Sequence, residues 1–389
     1  MAYRHFWRVI ARFPAVAALA AIPCSCAARA KIPLWADATE IQARSHSSAS
    51  SDAERDLQTG IALTQQGHFS EAIPHFLAAQ GHVSDEYAVN FNLALCYVGT
   101  EQFGRAIHVF STLKANGHDT AAVNSLLAQA YVGTGQDKEA FRAFQQAVKQ
   151  TPEDEKLYML VAEECMDRQA YDLGLDVLNI GLRHLPNSSR LHYERGVFFS
   201  FENESDPATA DFDLASKLSP GSDIFYMAAG QKALLDGNIP GAVRVAREGI
   251  KGGHGNYILL TIFGKAVVQS GVSAAEPEFR EAQAALEKSV AERPNYAESR
   301  AALGELYLMA GRVDDAIADL EVARKLAPDD ASVYSHLAIA YRRKGDAEAA
   351  KRMLAALAEL NQEQAAKYKS GAPGQKAGYI STGQAPRRP

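Results

Sequence analysis

Motifs that carry chemistry are scarce in this sequence. The chain has four cysteines in 389 residues, no His-Glu-x-x-His motif, no Cys-x-x-Cys pair beyond its N-terminal segment, and no glycine-rich phosphate loop after a strand. The loop Gly133–Lys138 has part of the composition of a nucleotide loop but lacks its spacing. We therefore expect a non-enzymatic protein with no catalytic residue, no cofactor and no metal.

Three regularly spaced histidines do not change that expectation. His68, His75 and His82 recur every seven residues, which places them on one face of a helix. Successive members would lie about 10.5 Å apart along the helix, too far to share one zinc ion with bonds of about 2.0 Å. A solvated helix face is the better interpretation.

Excess positive charge is absent from the body of the chain. Residues 1–30 carry four arginines and residues 365–389 carry five basic side chains, and neither segment contains an acidic residue. The remaining residues hold 31 basic and 46 acidic side chains. Because such a body repels phosphates, nucleic acid is not an expected partner.

The first thirty residues have the pattern of an export signal. Three arginines precede an apolar stretch, Phe13–Ala28, and small residues follow that would suit cleavage after Ala27, Ala28 or Ala30. A retained membrane anchor is an alternative, although sixteen residues interrupted by two prolines are short for a bilayer span. A lipoprotein signal is a further alternative, but neither cysteine of the segment has a leucine three positions earlier. We expect export to the periplasm or secretion, with N-terminal membrane anchoring as the alternative.

Two flanking segments lack the composition of a packed domain. Residues 31–52 are rich in serine and predict a flexible linker. Residues 365–389 are rich in glycine, lysine and proline and predict a disordered basic tail.

The chain between these segments repeats with a period of 34 residues. The register is kept over seven starts and then slips by six residues, at an insertion, Val272–Pro277, inside the seventh repeat. The predicted repeats are 53–86, 87–120, 121–154, 155–188, 189–222, 223–256, 257–296, 297–330 and 331–364.

Each repeat has the features of two packed helices. Positions 8 and 20 are always Gly or Ala, as two closely approaching helices require, and positions 11 and 24 are mostly bulky and fill the space beside that contact. Glycine is frequent at position 15, where it would end the first helix, and proline at position 32, where it would stop the second. One pair cannot bury its apolar face alone, so neighbouring pairs are expected to stack.

This pattern resembles the tetratricopeptide repeat family, and 297–307 is its clearest copy. The resemblance covers residues 53 to about 364 and implies an all-α, right-handed superhelical solenoid of about nine helix-turn-helix repeats that binds other proteins. Two departures stand out. The usual tryptophan at position 4 is absent throughout, and the sixth repeat has Ala233 and Ala246 where bulk is expected. We expect the sixth repeat to pack loosely.

In this family the first helix of each pair lines the concave face, so a binding site is sought there. Positions 2, 5, 9 and 12 share one stripe of that helix, and twenty of these thirty-six residues are apolar. We predict a groove that binds a protein or peptide with an apolar face. Its predicted contacts are Phe91, Leu95, Met159, Tyr193 and Met227. The competing interpretation is that position 12, and partly position 9, packs against the next first helix.

The function expected from this groove is that of a protein-interaction scaffold. The alternative is a regulatory or assembly subunit docked permanently on an envelope complex or an enzyme. The Lys and Asn set with which some family members hold a terminal carboxylate is missing, apart from Asn92. A membrane is an expected partner only through an uncleaved N-terminal segment.

The two remaining cysteines are not expected to form a disulfide. Cys96 and Cys165 lie in the first helices of the second and fourth repeats, with an entire repeat between them. Stacked helices are about 8–10 Å apart, beyond the roughly 7 Å limit for a disulfide between Cα atoms. Buried free thiols are predicted.

Overall fold

The computed structural model describes residues 38–369, which form eighteen α-helices and no strand. The predicted all-α fold is confirmed. The predicted signal segment, 1–30, and residues 370–389 of the predicted tail lie outside the described residues. The first helices of the nine pairs are α1 (Ala38–Gln65), α3 (Glu86–Gly99), α5 (Ala121–Gly133), α7 (Glu155–Asp167), α9 (Ser189–Phe201), α11 (Asp223–Leu235), α13 (Tyr257–Ser270), α15 (Ala297–Met309) and α17 (Ala331–Lys344). The second helices are α2 (Phe69–Ala79), α4 (Phe103–Ala115), α6 (Asp137–Gln150), α8 (Tyr171–His184), α10 (Ser205–Leu218), α12 (Ile239–Gly249), α14 (Pro277–Glu292), α16 (Val313–Leu326) and α18 (Ala347–Lys369).

The helices divide into two compact units. Within the described residues, the first unit comprises residues 38–170 and the second comprises residues 171–369. The boundary lies in the turn between the two helices of the fourth repeat. The sequence pattern, in contrast, predicts an uninterrupted array over residues 53–364. Each unit has its own stacked helix pairs and is described by itself below.

Helix starts follow the predicted register because the last residue of each repeat caps the next one. Seven first helices, α5 to α17, begin at the predicted residue, and α3 begins one residue earlier. The residue before each helix accepts a hydrogen bond from a backbone N–H of the first turn in six of these seven cases, which satisfies one otherwise unpaired donor. These capping residues are Thr120, Asp154, Ser188, Ser222, Asn256 and Asp330.

Positions 8 and 20 are the points of closest approach within a pair. A Cβ atom added at Gly304 would lie 2.6 Å from Cγ of Leu320 and 3.2 Å from the carbonyl oxygen of Ala316. Gly196 has the same surroundings, since an added Cβ would lie 2.8 Å from the Phe212 ring. The absence of a side chain at position 8 therefore lets the bulky residue of position 24 pack flat against the first helix.

Position 15 has a positive φ angle in every repeat, as the left-handed turn after the first helix requires. Six of these residues are glycine, and the other three carry a side chain in a conformation that costs an L-residue roughly 1–2 kcal/mol. The nine residues are Gly67, Glu101, Gly135, Gln169, Asn203, Gly237, Gly271, Gly311 and Gly345.

Replacing Gly135 by alanine is expected to lower the free energy of unfolding by about 1–2 kcal/mol, because φ there is 71°. No atom lies within 4 Å of an added methyl group, so the cost comes from the backbone alone. Gly104, inside helix α4 and equally open, is the matched control. Gly104→Ala should instead raise stability by up to about 1 kcal/mol, since alanine is the better helix former. Urea denaturation of both variants would measure the difference, and a shift of the same sign in both would contradict the assigned turn.

Position 4, where the family has tryptophan, contains other hydrogen-bond donors that bind the proline of the previous repeat. The side chains of Tyr158, His192, Arg300 and Tyr334 each approach the carbonyl oxygen of the proline six residues earlier, at 2.6, 3.0, 3.1 and 2.8 Å. The position is therefore occupied by a phenol, an imidazole or a guanidinium group that contacts the preceding turn. Each of these bonds ties the start of a repeat to the turn before it.

The same position pairs with position 23 in three repeats, and the pair of the fifth repeat is buried. Asp211, only 4% exposed, lies 2.8 Å from Nδ1 of His192 and accepts two hydrogen bonds from Arg195, at 2.7 and 2.9 Å. Arg300 pairs with Asp319 in the eighth repeat, and Asp56 pairs with His75 in the first. Asp211 thus joins both helices of the fifth repeat through charged hydrogen bonds.

Both ends of the array are more helical than the sequence analysis expects. Helix α1 begins at Ala38, inside the segment assigned to a linker, and α18 continues to Lys369, past the predicted repeat end at residue 364. Residues 38–52 contain alanine, glutamate, glutamine and arginine but neither proline nor glycine, so nothing stops the helix from extending backwards. At the other end, Gly371 and Pro373 follow shortly after the last helical residue.

The predicted buried thiols are confirmed. Cys96 and Cys165 are free and fully buried. Burial raises the pKa of the Cys96 thiol to about 12, although its contact with Thr64 at 3.2 Å opposes the shift. No helix within residues 38–369 combines the length and hydropathy needed to cross a bilayer.

Candidate partner-binding face

In the second unit, the first helices α9, α11, α13, α15 and α17 lie side by side. Each packs against the next, and each also packs against the second helix of its own repeat. Positions 5, 9 and 12 therefore meet two kinds of neighbour, and their exposure depends on how the adjacent first helix covers them.

Four of the five predicted groove residues are buried. Leu95 is 3% exposed, Met159 1%, Tyr193 2% and Met227 5%, and Phe91 alone is partly exposed. Phe91, Leu95 and Met159 lie in the first unit, whereas Tyr193 and Met227 lie in the second. The expectation that these side chains form an exposed apolar stripe is therefore corrected for four of them, and the competing interpretation of packing between first helices accounts for the burial.

The contacts of these residues explain why they are covered. The Tyr193 ring lies 5.6 Å from the Phe212 ring, and both belong to the core of the second unit. Met227 belongs to the same core, and its sulfur accepts a hydrogen bond from Asn256 at 3.4 Å. In the first unit, Phe91 packs edge-on against Phe110, with ring centroids 5.9 Å apart. In the fifth and sixth repeats position 5 therefore belongs to the core, whereas Ala301 and Ser335 at the same position are partly exposed.

Position 9 keeps exposed surface throughout the second unit, as does position 2 of the same stripe. All five side chains at this position, one from each first helix, are partly exposed. We call these residues the position-9 row: Val197, Gln231, Lys265, Glu305 and Ile339. Position 9 belongs to the predicted stripe, but none of these five residues is among the predicted contacts. The sequence signal for the row is the repeat register itself, which places position 9 on the same side of each first helix.

The centre of the row is charged and paired. Lys265 Nζ lies 3.0 Å from Oε2 of Glu298 on the next first helix, with the two side chains 33% and 24% exposed. The attraction of Glu298 raises the pKa of Lys265 despite the opposing effect of burial. One repeat further, His336 Nε2 lies 3.6 Å from Oε1 of Glu305.

Tyrosines surround the Lys265–Glu298 pair. The rings of Tyr257 and Tyr296 meet edge to face, with centroids 5.1 Å apart. Burial raises the pKa of Tyr193 and of Tyr296 well above the usual range, with the negative charge of Glu298 adding to both shifts. The pair therefore lies in surroundings of low polarity. An ion pair formed there with a charged group of a binding partner is stronger than one at an open surface.

The equivalent position in the first unit is used internally. Gln129, 7% exposed at position 9 of the third repeat, donates to Glu164 Oε2 at 3.2 Å. Glu164 also accepts from Arg168 at 3.1 Å, and Arg168 pairs in turn with Glu101 at 3.0 Å. Burial raises the pKa of Glu164 against the effect of these partners. This network buries position 9 of the third repeat. In the second unit, by contrast, every position-9 side chain keeps exposed surface.

The row presents recognition groups rather than reactive ones. Within residues 38–369, no group of three His, Cys, Asp or Glu side chains could hold a metal ion. The side chains of the row offer two apolar surfaces, an amide, an ammonium group and a carboxylate, which are groups that bind a polypeptide.

Comparison with known proteins supports the repeat assignment. Tetratricopeptide repeat family models match residues 63–130, 274–335 and 310–371, and a second model of the same description matches residues 121–154. The chain therefore contains tetratricopeptide repeats, and its fold is an α-solenoid of such repeats. Residues 155–273, which these models do not match, include Cys165 and Ala233, two of the departures at position 11.

Solved structures with a similar fold share little sequence with this chain. A tetratricopeptide repeat protein from Parabacteroides merdae has 16% identity and a TM-score of 0.48, covering 65% of this chain and 98% of its own. The APC/C hetero-tetramer Cut9-Hcn1 has 14% identity and a TM-score of 0.47, covering 80% of this chain and 73% of its own. YrrB, described as a TPR protein with an unusual peptide-binding site, has 18% identity and a TM-score of 0.33, covering 50% of this chain and 98% of its own. No curated protein sequence matches the chain.

Proposed function

We propose that the protein is a non-enzymatic scaffold that binds a segment of a partner protein along the position-9 row of its second unit. The observation that carries this proposal is the exposure pattern. Five consecutive first helices each leave their position-9 side chain accessible, while Tyr193 and Met227 beside them are buried. Tetratricopeptide repeats commonly act in protein interaction, which agrees with this assignment.

The chemistry of the row defines the partner more closely than the predicted apolar stripe does. Val197 and Ile339 lie at its two ends, and Gln231, Lys265 and Glu305 lie between them. A matching segment would carry apolar side chains at its ends and polar or charged groups at its centre. Because the central contacts include ion pairs, binding should weaken as salt screens them.

The alternative is a permanently docked regulatory or assembly subunit. Both roles would use the same face, and they differ in the lifetime of the complex. Protein purified from its own host in stoichiometric association with a partner would favour the docked subunit, whereas free protein would favour the scaffold.

Export from the cytoplasm is the second part of the proposal, supported by the arginine-then-apolar start of the sequence. N-terminal sequencing of the mature protein should find its first residue between Ala28 and Lys31. An intact Met1 on protein from a cytoplasmic fraction would rule out cleavage and export.

Site-specific photo-crosslinking tests the binding face. A benzophenone amino acid placed at Gln231 or at Ile339 is expected to form an adduct with the same host protein, because both positions lie on the row. The control position is Lys325, which is exposed on helix α16 and lies outside the row. An adduct from Lys325 with none from the two row positions would show that the partner binds elsewhere.

A further inference from the structure

An open pocket lies beside Ala233 in the sixth repeat, which the sequence predicts to pack loosely. Ala233 occupies position 11, where four other repeats have tyrosine, and the pocket has a volume of about 250 Å³. It lies between helices α10, α11 and α12 of the second unit. Besides Ala233, its lining includes Asp213, Ala229, Lys232, Asp236, Arg244 and Val245.

Two other repeats of the same unit have tyrosine at position 11 and show which groups surround its side chain. The Tyr307 hydroxyl donates to Oε1 of Glu287 at 3.0 Å, and the Tyr341 hydroxyl donates to Oε1 of Glu321 at 2.9 Å. In both cases the acceptor lies twenty residues earlier, on the second helix of the preceding repeat. The residue twenty positions before Ala233 is Asp213, whose carboxylate lines the pocket.

The cationic part of the tyrosine environment is also present. The Arg312 guanidinium lies 4.2 Å from the centroid of the Tyr307 ring, a distance at which a cation is attracted to an aromatic face. Arg244 and Lys232 line the Ala233 pocket, and Lys232 is paired there with Asp236 at 2.8 Å. The pocket therefore has the carboxylate acceptor and the cations of a tyrosine site, but the ring that would occupy it is missing from the chain.

We propose that the Ala233 pocket binds the side chain of a tyrosine presented by a partner protein. An apolar cavity of about 150 Å³ already accommodates benzene, so the pocket volume is sufficient for a phenol ring. The Asp213 carboxylate would accept the phenolic proton, and Lys232 or Arg244 would face the ring. The phosphorylated form is not expected to bind, because its phosphate has no phenolic proton to donate and would meet the negative charge of Asp213.

This site is separate from the position-9 row. Ala229, Ala233 and Asp236 occupy positions 7, 11 and 14 of helix α11, whereas the row uses Gln231 on another side of the same helix. The pocket can therefore bind tyrosine even if the row binds nothing.

Titration of the full chain with N-acetyl-tyrosine amide, followed by the NMR signals of alanine and valine methyl groups, tests the proposal. We expect saturable shifts at Ala229, Ala233 and Val245. N-acetyl-phenylalanine amide should bind about tenfold more weakly, because it lacks the hydrogen bond to a charged acceptor. N-acetyl-phosphotyrosine amide should cause no shift. Equal binding of the tyrosine and phenylalanine compounds, or shifts spread away from these methyl groups, would overturn the proposal.

Two variants extend the test in opposite directions. Ala233→Tyr fills the pocket from within, so it should abolish binding of the tyrosine compound and raise the melting temperature. Asp213→Ala keeps the pocket open but should remove the preference for tyrosine over phenylalanine. Asp213 is paired with the exposed Lys217 and is itself partly exposed, so this variant is expected to fold. Unchanged binding in Ala233→Tyr, or an unchanged preference in Asp213→Ala, would contradict the assigned geometry.

Discussion

Replacement of Tyr193 by alanine is expected to lower the free energy of unfolding of the second unit by about 3–5 kcal/mol. The side chain is 2% exposed, and its ring packs 5.6 Å from the Phe212 ring within the core. Removing it would leave a cavity that the surrounding helices can close only in part. Urea denaturation followed by circular dichroism would measure the change.

Val197→Ala is the matched control for this experiment. Val197 lies one helical turn further along α9 and is partly exposed, so its truncation should cost no more than about 1 kcal/mol. If Tyr193→Ala were as mild as the control, Tyr193 would be a surface residue and the original groove assignment would regain its basis. Binding measurements alone could not make this distinction, because an unfolded variant also fails to bind.

The loss of the Asp211 carboxylate is expected to be similarly severe. Asp211→Ala would leave His192 and Arg195 without their shared anionic partner, and breaking a buried charged pair in this way costs about 3–5 kcal/mol. Two helices of the fifth repeat are joined through this one carboxylate. A large fall in the midpoint of chemical denaturation should follow.

Asp213→Ala provides the comparison, since Asp213 lies two residues away and pairs with Lys217 at the surface. An exposed pair contributes about 0–1 kcal/mol, so this variant should remain close to the parent protein. Equal destabilisation by the two substitutions would mean that the position-4 to position-23 contact adds little to the stability of the repeat.

The helical frame was predictable because it depends on local and periodic signals. Small residues at positions 8 and 20, a left-handed residue at position 15 and a capping residue before each first helix all act within one repeat. The start of α15 at Ala297 was predicted across the insertion, since the same signals resume after Pro277. The start of α1 at Ala38 was not predicted, because the serine content of residues 38–52 indicated a linker. The segment nevertheless contains no helix-breaking proline or glycine.

The binding face was predicted less well because exposure depends on neighbouring repeats. Positions 5 and 9 lie on one stripe of the first helix, and sequence spacing cannot tell which of them the adjacent first helix covers. Tyr193 and Met227 at position 5 are buried, whereas Gln231 and Lys265 at position 9 keep exposed surface. The packing of the adjacent first helix decides this difference, and the period of 34 does not encode it.

The position-4 network was overlooked although the sequence contained a signal for it. Position 4 has no tryptophan in any repeat, and residues of several types stand there instead. His192 with Asp211 and Arg300 with Asp319 are two pairs of opposite charge type separated by the same nineteen residues. A comparison of spacings between charged residues, rather than of single positions, would have found them.

The placement of the two buried thiols gives the first unit a chemical reporter that the second unit does not share. Residues 171–389 contain no cysteine, whereas Cys96 and Cys165 lie on helices α3 and α7 of the first unit. In protein without residues 1–30, a thiol-specific reagent can react only when the first unit opens. Equal labelling rates at the two thiols would show that this unit opens as a whole, and unequal rates would show that its repeats open one after another.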